Sequence, residues 1–367
     1  MPRTLMFVGC CNRPLPYFAT ANGEGIAAFE FEEKTGRLSP LATTSGIDNP
    51  TYIVISPDGR TLYATSEVLG WNEGTITAYA IDSASGRLEY LNKQPTRGSI
   101  VAQASFDRTG RHLFAVNYGA GPMSQRPNQS VVVFPLLPDG QLGAPAAEAA
   151  HHGRGLDPTR QERPHPHCAV ATPDNRFVVV TDLGLDRLFV YRFGNGITPH
   201  SEMMLPPGSG PRHLVFHPRL PRAYVVNELN STVTSLAFDS LEGRLTVLAT
   251  SSTTPDPTIG VNHCSEIRIS KDGRWLYVGN RGHDTLSRFS VDQASGLTRL
   301  LGNIPSGGKT PRHFAFDPSG AFVAVANQDS DLVSVLAVDS MTGDLTILPH
   351  SAQTGAPTCV GFVRAKD

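Results

Sequence analysis

Arginine and histidine stand side by side at the head of two otherwise apolar stretches, "GPRHLVFHP" (210–218) and "TPRHFAFDP" (310–318). Arginine stays charged at physiological pH and presents a planar fork of donors that fits a carboxylate or phosphate. Histidine titrates near neutrality and can take or give a proton. Together at the mouth of a strand they suit the binding and turnover of an anion. Similar residues recur. "RPHPHCAVA" (163–171) supplies His165 and His167, "VVNEL" (225–229) supplies Glu228, and "VGNRGHD" (278–284) supplies Arg281 and His283. Brought to one place, Arg212, Arg281 and Arg312 would ring an anion site. His165 or His167 would suit a general base, and Glu228 is a further candidate for chemistry. The bland alternative is a structural network in which the arginines pair with Glu228, Glu266 and Asp284.

Other chemistries find little footing. The many histidines, His151, His152, His165, His167, His213, His263 and His283, show no H-x-x-x-H spacing on a helix, so no metal is expected. There is no G-x-S-x-G nucleophile elbow and no phosphate loop, so no cofactor is expected either. The net charge of −2 argues against nucleic acid or anionic membrane as a partner. The first residues, "MPRTLMFVGCCNRP", hold too short an apolar run for a secretory signal or a membrane span. Five scattered cysteines make neither a disulfide framework nor a zinc pair, and the expected location is cytoplasmic.

The elements that must carry these residues are strands. Hydrophobic residues are 40% of the 367, charged residues only 17%, and the 35 Gly and 29 Pro fit many short strands joined by turns. A turn signal recurs as "SPDGR" (56–60), "DRTGR" (107–111), "TPDNR" (172–176), "HPRLPR" (217–222), "SKDGR" (270–274) and "DPSGA" (317–321). Apolar runs flank each turn, which is a hairpin signature. A second hairpin follows each first one, as in "VTSLAFDSLEGRLTVL" (233–248) and "LVSVLAVDSMTGDLTIL" (332–348). The C-terminal "GAPTCVGFV" (355–363) reads as a lone first strand and the N-terminal "TLMFVGC" (4–10) as a second strand. Joining them completes a seventh unit. The expected fold is all-β: a seven-bladed β-propeller with four antiparallel strands per blade, one domain over 1–367, its last blade closed by both termini. The irregular stretch 118–165 adds loop length around blades two and three, and long loops in compact folds are often functional.

In such a ring the start of strand one and the end of strand two lie on the same face. Laying the blades over one another, the end of strand two reads Ser66, Asn117, Asp182, Asn227, Asn280, Asn327 and Cys10, a polar position that suits local backbone bonding. The next position reads Glu67, Tyr118, Leu183, Glu228, Arg281, Gln328 and Cys11, with no shared packing role. On strand one, Thr51, Ala102, His167, Arg212, Ser265, Arg312 and Thr358 form one column. Tyr52, Gln103, Cys168, His213, Glu266, His313 and Cys359 form its neighbour. Strand side chains alternate, so only one of these columns is expected to face the channel, and the first holds the charges.

Several stretches carry a family resemblance: "NPTYIVISPDGRTLYATSE", "RQERPHPHCAVATPDNRFVVVTDLGLDRLFVY", "GPRHLVFHPRLPRAYVVNELNSTVT", "HCSEIRISKDGRWLYVGNRGHDTLSRF" and "TPRHFAFDPSGAFVAVANQDSDLV". The chain resembles the bacterial 6-phosphogluconolactonase family of seven-bladed propellers, related to the fungal carboxy-cis,cis-muconate cyclising enzyme. A histidine, two arginines and a glutamate are proposed for that enzyme's active site. By motif they fall on His165 or His167, Arg212, Glu228 and Arg281. The resemblance implies hydrolysis of a sugar lactone, 6-phosphogluconolactone to 6-phosphogluconate, without a metal. Arg212 or Arg281 would stabilise the oxyanion, and Glu228 would orient an arginine or the histidine. The remaining arginine with Arg312 or Arg160 would hold the phosphate, and Tyr118, Gln328 and His283 are expected as further substrate contacts. The implied partner is a small anionic lactone, and the implied state a monomer or weak homo-oligomer. The chain departs from the family at "GCCN" (9–12), at Cys168 and between Asn12 and Gly25. Two alternatives accompany this expectation. A cycloisomerase would conserve mass where hydrolysis takes up water. A non-catalytic propeller would bind a protein or ligand, and exposed aromatics would mark its face.

Overall fold

A computed structural model describes residues 3–119, 128–194, 196–255 and 260–365. The recurring turns fold as their residue types dictate. Gly59, Gly110, Gly273 and Gly320 take positive φ, and Asn175 takes it where the turn reads "PDNR". A short polar side chain seals each turn: Asp107 accepts from the backbone N–H of Thr109, Arg111 and His112. In "HPRLPR" the ring Nδ1 of His217 does this work, accepting from Arg219 and Leu220. One buried histidine of the sequence is thereby accounted for as turn chemistry.

Seven four-stranded antiparallel sheets result, each with its strands side by side in chain order except the one that closes the ring. That sheet sets Pro357–Arg364 against Thr4–Cys10, then Ile26–Glu32 and Arg37–Thr44. This is the seven-bladed propeller expected from the turn period, and closure pairs a strand edge that would otherwise face solvent. Among the described residues the only helical element is the short turn Gln328–Ser330.

Blades pack face to face, so second strands are covered on both sides. Thr61–Ser66, Phe177–Asp182 and Phe322–Asn327 are buried throughout. This explains their unbroken apolar runs. Between blades two and three, Phe114, Val116 and Val133 meet Ala169, Val178 and Val180. A tyrosine on the second strand also bonds the glycine carbonyl in the outer turn of the next blade: Tyr63 to Gly140, Tyr224 to Gly296 and Tyr277 to Gly343. Phe177 and Phe322 lie against Gly243 and Gly36 at the equivalent places, where a Cβ would meet the ring.

The inner strands depart from regular alternation. In six blades the pairing with the second strand slips at the two columns singled out above, as between Pro166 and Cys168, Pro211 and Leu214, or Pro311 and His313. A bulge sets two residues opposite one and lets successive side chains lean to the same side. The expectation that only one column faces the channel is therefore corrected. Arg212 and His213 both turn inward, and Nη1 of Arg212 lies 3.2 Å from Nε2 of His213.

Candidate active site

Glu228 is the hub. It follows directly on the second strand Arg222–Asn227 and is buried. Three arginines converge on its carboxylate: Arg212 Nε at 3.0 Å, Arg281 Nη2 at 2.8 Å, and Arg160 through Nη2. One negative charge against three positive leaves a local surplus of two. Glu266 and Asp284 do not share the load. Glu266 lies deeper, and Asp284 accepts backbone N–H groups from Gly282 and Thr310. The evenly paired structural network is not what forms, and the surplus gives this face a positive field.

The arginines step from interior to rim, their side chains 4%, 16% and 32% exposed for Arg212, Arg281 and Arg160. Arg212 leaves the bulge of its inner strand and also donates to the carbonyl of Ser265 at 2.8 Å. Arg281 ends Trp275–Arg281 and donates to the carbonyl of Cys264 at 3.0 Å. Arg160 comes from the long irregular stretch, and the fold of that stretch explains its delivery. Asp157 accepts from the backbone of Thr159 and Arg160. The fully buried Gln161 accepts from Leu156 and Asp157 and donates to the carbonyl of Leu183. Residues 120–127 of the same irregular stretch lie outside the described residues.

Charge states follow from this packing. Burial alone would push Glu228 up, but Arg281, Arg160 and Arg212 outweigh it and hold it well below the usual carboxylate range. Burial, then the field of Arg281, pulls Arg212 down to about 10, so it remains charged at neutrality. His167 is buried beside this cluster. Burial first, then Arg212 and His213, hold it well below the usual histidine range, and its Nδ1 has no hydrogen-bond partner. A neutral imidazole with an uncommitted nitrogen can accept a proton. His165 is arranged differently. Its Nδ1 lies 2.8 Å from the carbonyl of Tyr118 and its Nε2 3.1 Å from Glu162, while its ring stacks on Tyr118. Its backbone N–H is fixed by Asp182, whose other oxygen binds His151. Both ring nitrogens of His165 are thus occupied, whereas Nδ1 of His167 has no partner.

Arg312 stands apart from Glu228. Its guanidinium lies over the ring of Phe18 at 4.5 Å, and Nη2 is 3.7 Å from Glu67. Glu67 also accepts from Tyr17 at 2.7 Å and Thr51 at 2.6 Å. The segment carrying Tyr17 and Phe18 is tied down at Asn49, whose side-chain oxygen accepts from the backbone of Asn12 and Arg13. Asn49 itself takes positive φ. The stretch that departs from the family pattern thus supplies two aromatic side chains to the Arg312 side of the rim. Tyr118 borders Arg160 and both histidines. Gln328 is buried, donates to Asp329 and leaves its Oε1 without a partner. His283 bonds Thr285 through its ring and the side chain of Asn262 through its backbone N–H, on the strand-edge side rather than to an arginine.

Beneath the arginines lies a second buried cluster. Glu266 accepts from Nδ1 of His213 at 3.1 Å, lies 3.1 Å from Nε2 of His313 and 3.5 Å from Nε of Arg268. The ring of Tyr52 meets both histidines edge-on. Apart from Arg268, these residues belong to the second inner-strand column, which sequence reasoning set aside. Its charged and titratable members were visible there; the bulge that turns them inward was not. His263, half-buried with an unpartnered Nδ1 and within the field of Glu228, was also passed over. Among the described residues, no three or more His, Cys, Asp or Glu gather where one ion could be held. None of their helices is long and apolar enough to cross a membrane.

A seven-bladed ring with a buried glutamate under three arginines at its mouth defines a class, and residues 6–362 match the model of that class, described as "Lactonase, 7-bladed beta-propeller". The chain belongs to this lactonase family. It is 35% identical over 347 residues to the 6-phosphogluconolactonase of Bacillus subtilis, covering 94% of this chain and 96% of that one. It is 32% identical to the 6-phosphogluconolactonase of Formosa agariphila, covering 94% and 95%. Among solved structures it superposes on a periplasmic gluconolactonase of Pseudomonas aeruginosa with a TM-score of 0.86 and 33% identity, over 98% of this chain and 99% of that one.

Proposed function

We propose that this protein hydrolyses 6-phosphogluconolactone to 6-phosphogluconate at the Glu228–arginine rim. The observation that carries the reading is the surplus of positive charge around one buried glutamate, with the free nitrogen of His167 beside it. Relatives named for 6-phosphogluconolactone support it. The lactone lies over the channel mouth. His167 takes a proton from water as the water oxygen attacks the lactone carbonyl carbon. Arg212 and Arg281 stabilise the oxygen that becomes negative, an effect worth about 3 kcal/mol for a well-placed donor. The ring C–O bond then breaks, and the proton on His167 passes to the departing ring oxygen. The products are a hydroxyl and a carboxylic acid, which ionises. Arg160, the most exposed of the three, binds the phosphate, and Glu228 keeps the guanidinium groups apart and aimed.

The phosphate is what distinguishes this reading from the gluconolactone named for the Pseudomonas relative. A charge surplus of two suits a substrate that brings its own charge besides the developing oxyanion. The test is a turnover assay with 6-phosphogluconolactone beside glucono-δ-lactone, corrected for spontaneous opening. Faster hydrolysis of the phosphorylated lactone, reduced by Arg160→Ala chiefly through KM, is the expected result. Equal rates for the two lactones would overturn the phosphate assignment while leaving lactone hydrolysis standing. We place the reaction in the cytoplasm, in keeping with five buried free cysteines; fractionation of cells producing the protein checks this.

A further inference from the structure

We propose that His213 and Glu266 are positioning residues for Arg212, forming a buried chain Glu266–His213–Arg212–Glu228 that aims the guanidinium at the rim. The inference rests on the lactonase reading, in which Arg212 stabilises the oxyanion. The geometry has a single consistent proton arrangement. Nη1 of Arg212 faces Nε2 of His213 at 3.2 Å. A guanidinium can only donate, so Nε2 must accept. The ring proton therefore sits on Nδ1, which faces Glu266 at 3.1 Å. Glu266 thus selects the one tautomer that can receive the arginine. The carbonyl of Ser265 takes the same Nη1 at 2.8 Å, and the Glu228 carboxylate pairs with the guanidinium at 3.0 Å from Nε without a hydrogen bond there. The directed hold on Arg212 therefore comes through Nη1.

Glu266 is itself fixed from several directions. Nε2 of His313 lies 3.1 Å away, Nε of Arg268 lies 3.5 Å away, and the backbone N–H of Ile267 donates to Oε1 at 3.0 Å. All four members of the chain are buried. Without this chain, a guanidinium flanked by Arg281 and Arg160 has reason to swing away, because like charges repel and the groups share one carboxylate. A displacement of about 1 Å at a catalytic donor can cost on the order of a hundredfold in rate. The same logic of an acceptor holding a ring in one tautomer operates behind metal-bound histidines. Here it operates behind an arginine.

The test is a double-mutant cycle on 6-phosphogluconolactone turnover. His213→Phe removes the acceptor while filling the space. It is expected to lower kcat about tenfold to a hundredfold with KM within about threefold. His213→Gln returns an acceptor oxygen and should recover most of the loss. Glu266→Gln should lower kcat in the same direction as His213→Phe. The decisive arm places His213→Phe on Arg212→Ala, where it should have almost no further effect, since the residue it acts through is gone. A full multiplicative loss in the double variant, or a wild-type kcat for His213→Phe, would overturn the positioning role. Wild-type turnover by Arg212→Ala alone would instead overturn the lactonase mechanism. A crystal structure of His213→Phe, or of Glu266→Gln should His213→Phe not fold, gives a readout independent of turnover. Arg212 unmoved against Glu228 and Ser265 would contradict the inference; a rotated guanidinium supports it.

Discussion

His167 and Arg212 illustrate what burial does to two groups that work together in the proposed mechanism. Each is removed from water, and the charge of Arg212 adds to burial in lowering the proton affinity of His167. The arginine stays charged because its ordinary value is so high, and the histidine becomes neutral. We predict that His167→Asn lowers kcat by about 10²–10⁴-fold, the usual contribution of a general base, measured by steady-state lactone hydrolysis. Retention of the wild-type kcat would remove His167 from the mechanism. A depressed histidine is deprotonated already at mildly acid pH. The acid limb of the pH–kcat/KM profile should therefore fall below the ordinary histidine value of about 6.5, where a limb at or above 6.5 would point to a different base. Glu228→Gln leaves three buried arginines without a counter-charge. It should lose stability by about 3–5 kcal/mol, as when one partner of a buried pair is removed, read as a drop in denaturant midpoint.

Elements deliver these residues through turn chemistry and inner-strand bulges. The turns were legible because glycine, aspartate and serine at fixed places have few conformations open to them, and six copies make a period. Arg212, Arg281 and Glu228 were legible because comparing blades removes whatever all blades share. Three features were not. The bulge leaves no residue signature in the inner strands, so alternation predicted one inward column where two turn inward. The occupancy of His165 depends on the carbonyl of Tyr118 and on Glu162, which only the folded loop brings near. Phe18 reaches Arg312 from a segment with no repeat to compare it with. The tyrosine that links successive blades gives a test at this scale. Tyr224→Phe deletes its bond to the carbonyl of Gly296 and keeps the ring, so it should cost about 1 kcal/mol, seen as a small fall in melting temperature with turnover unchanged. A fall as large as that of Glu228→Gln would mean the blades depend on this bond far more than their packed faces imply.

The whole molecule is a ring whose centre holds buried titratable groups, and its stability should register them. Four histidines, His167, His213, His217 and His263, are depressed by burial, His213 to about 4. Below about 6.5 the unfolded chain binds protons at these positions that the folded chain refuses. Stability therefore falls as pH drops through that window, with His213 alone contributing on the order of 3 kcal/mol by pH 4. His313 acts in another window: burial pushes it down, but Cys359 and Glu266 outweigh this and lift it to about 9, so its contribution is gained as pH falls from about 9 to about 6.5 and is constant below that. Below about 6.5 the depressed histidines alone set the sign, and Glu228 and Glu266, both held low, add to it below about 4.5. The melting temperature should decline from pH 6.5 to pH 4, and a level profile would contradict these charge states. The central claim, that the arginine rim opens a lactone, is tested most directly by one comparison: 6-phosphogluconolactone hydrolysis above the spontaneous rate by the wild-type protein and by Arg212→Ala. Rapid turnover by the first and a loss of about a hundredfold or more in the second is the expected outcome for a missing oxyanion donor. No turnover by the wild type, or equal turnover by both, would contradict the account.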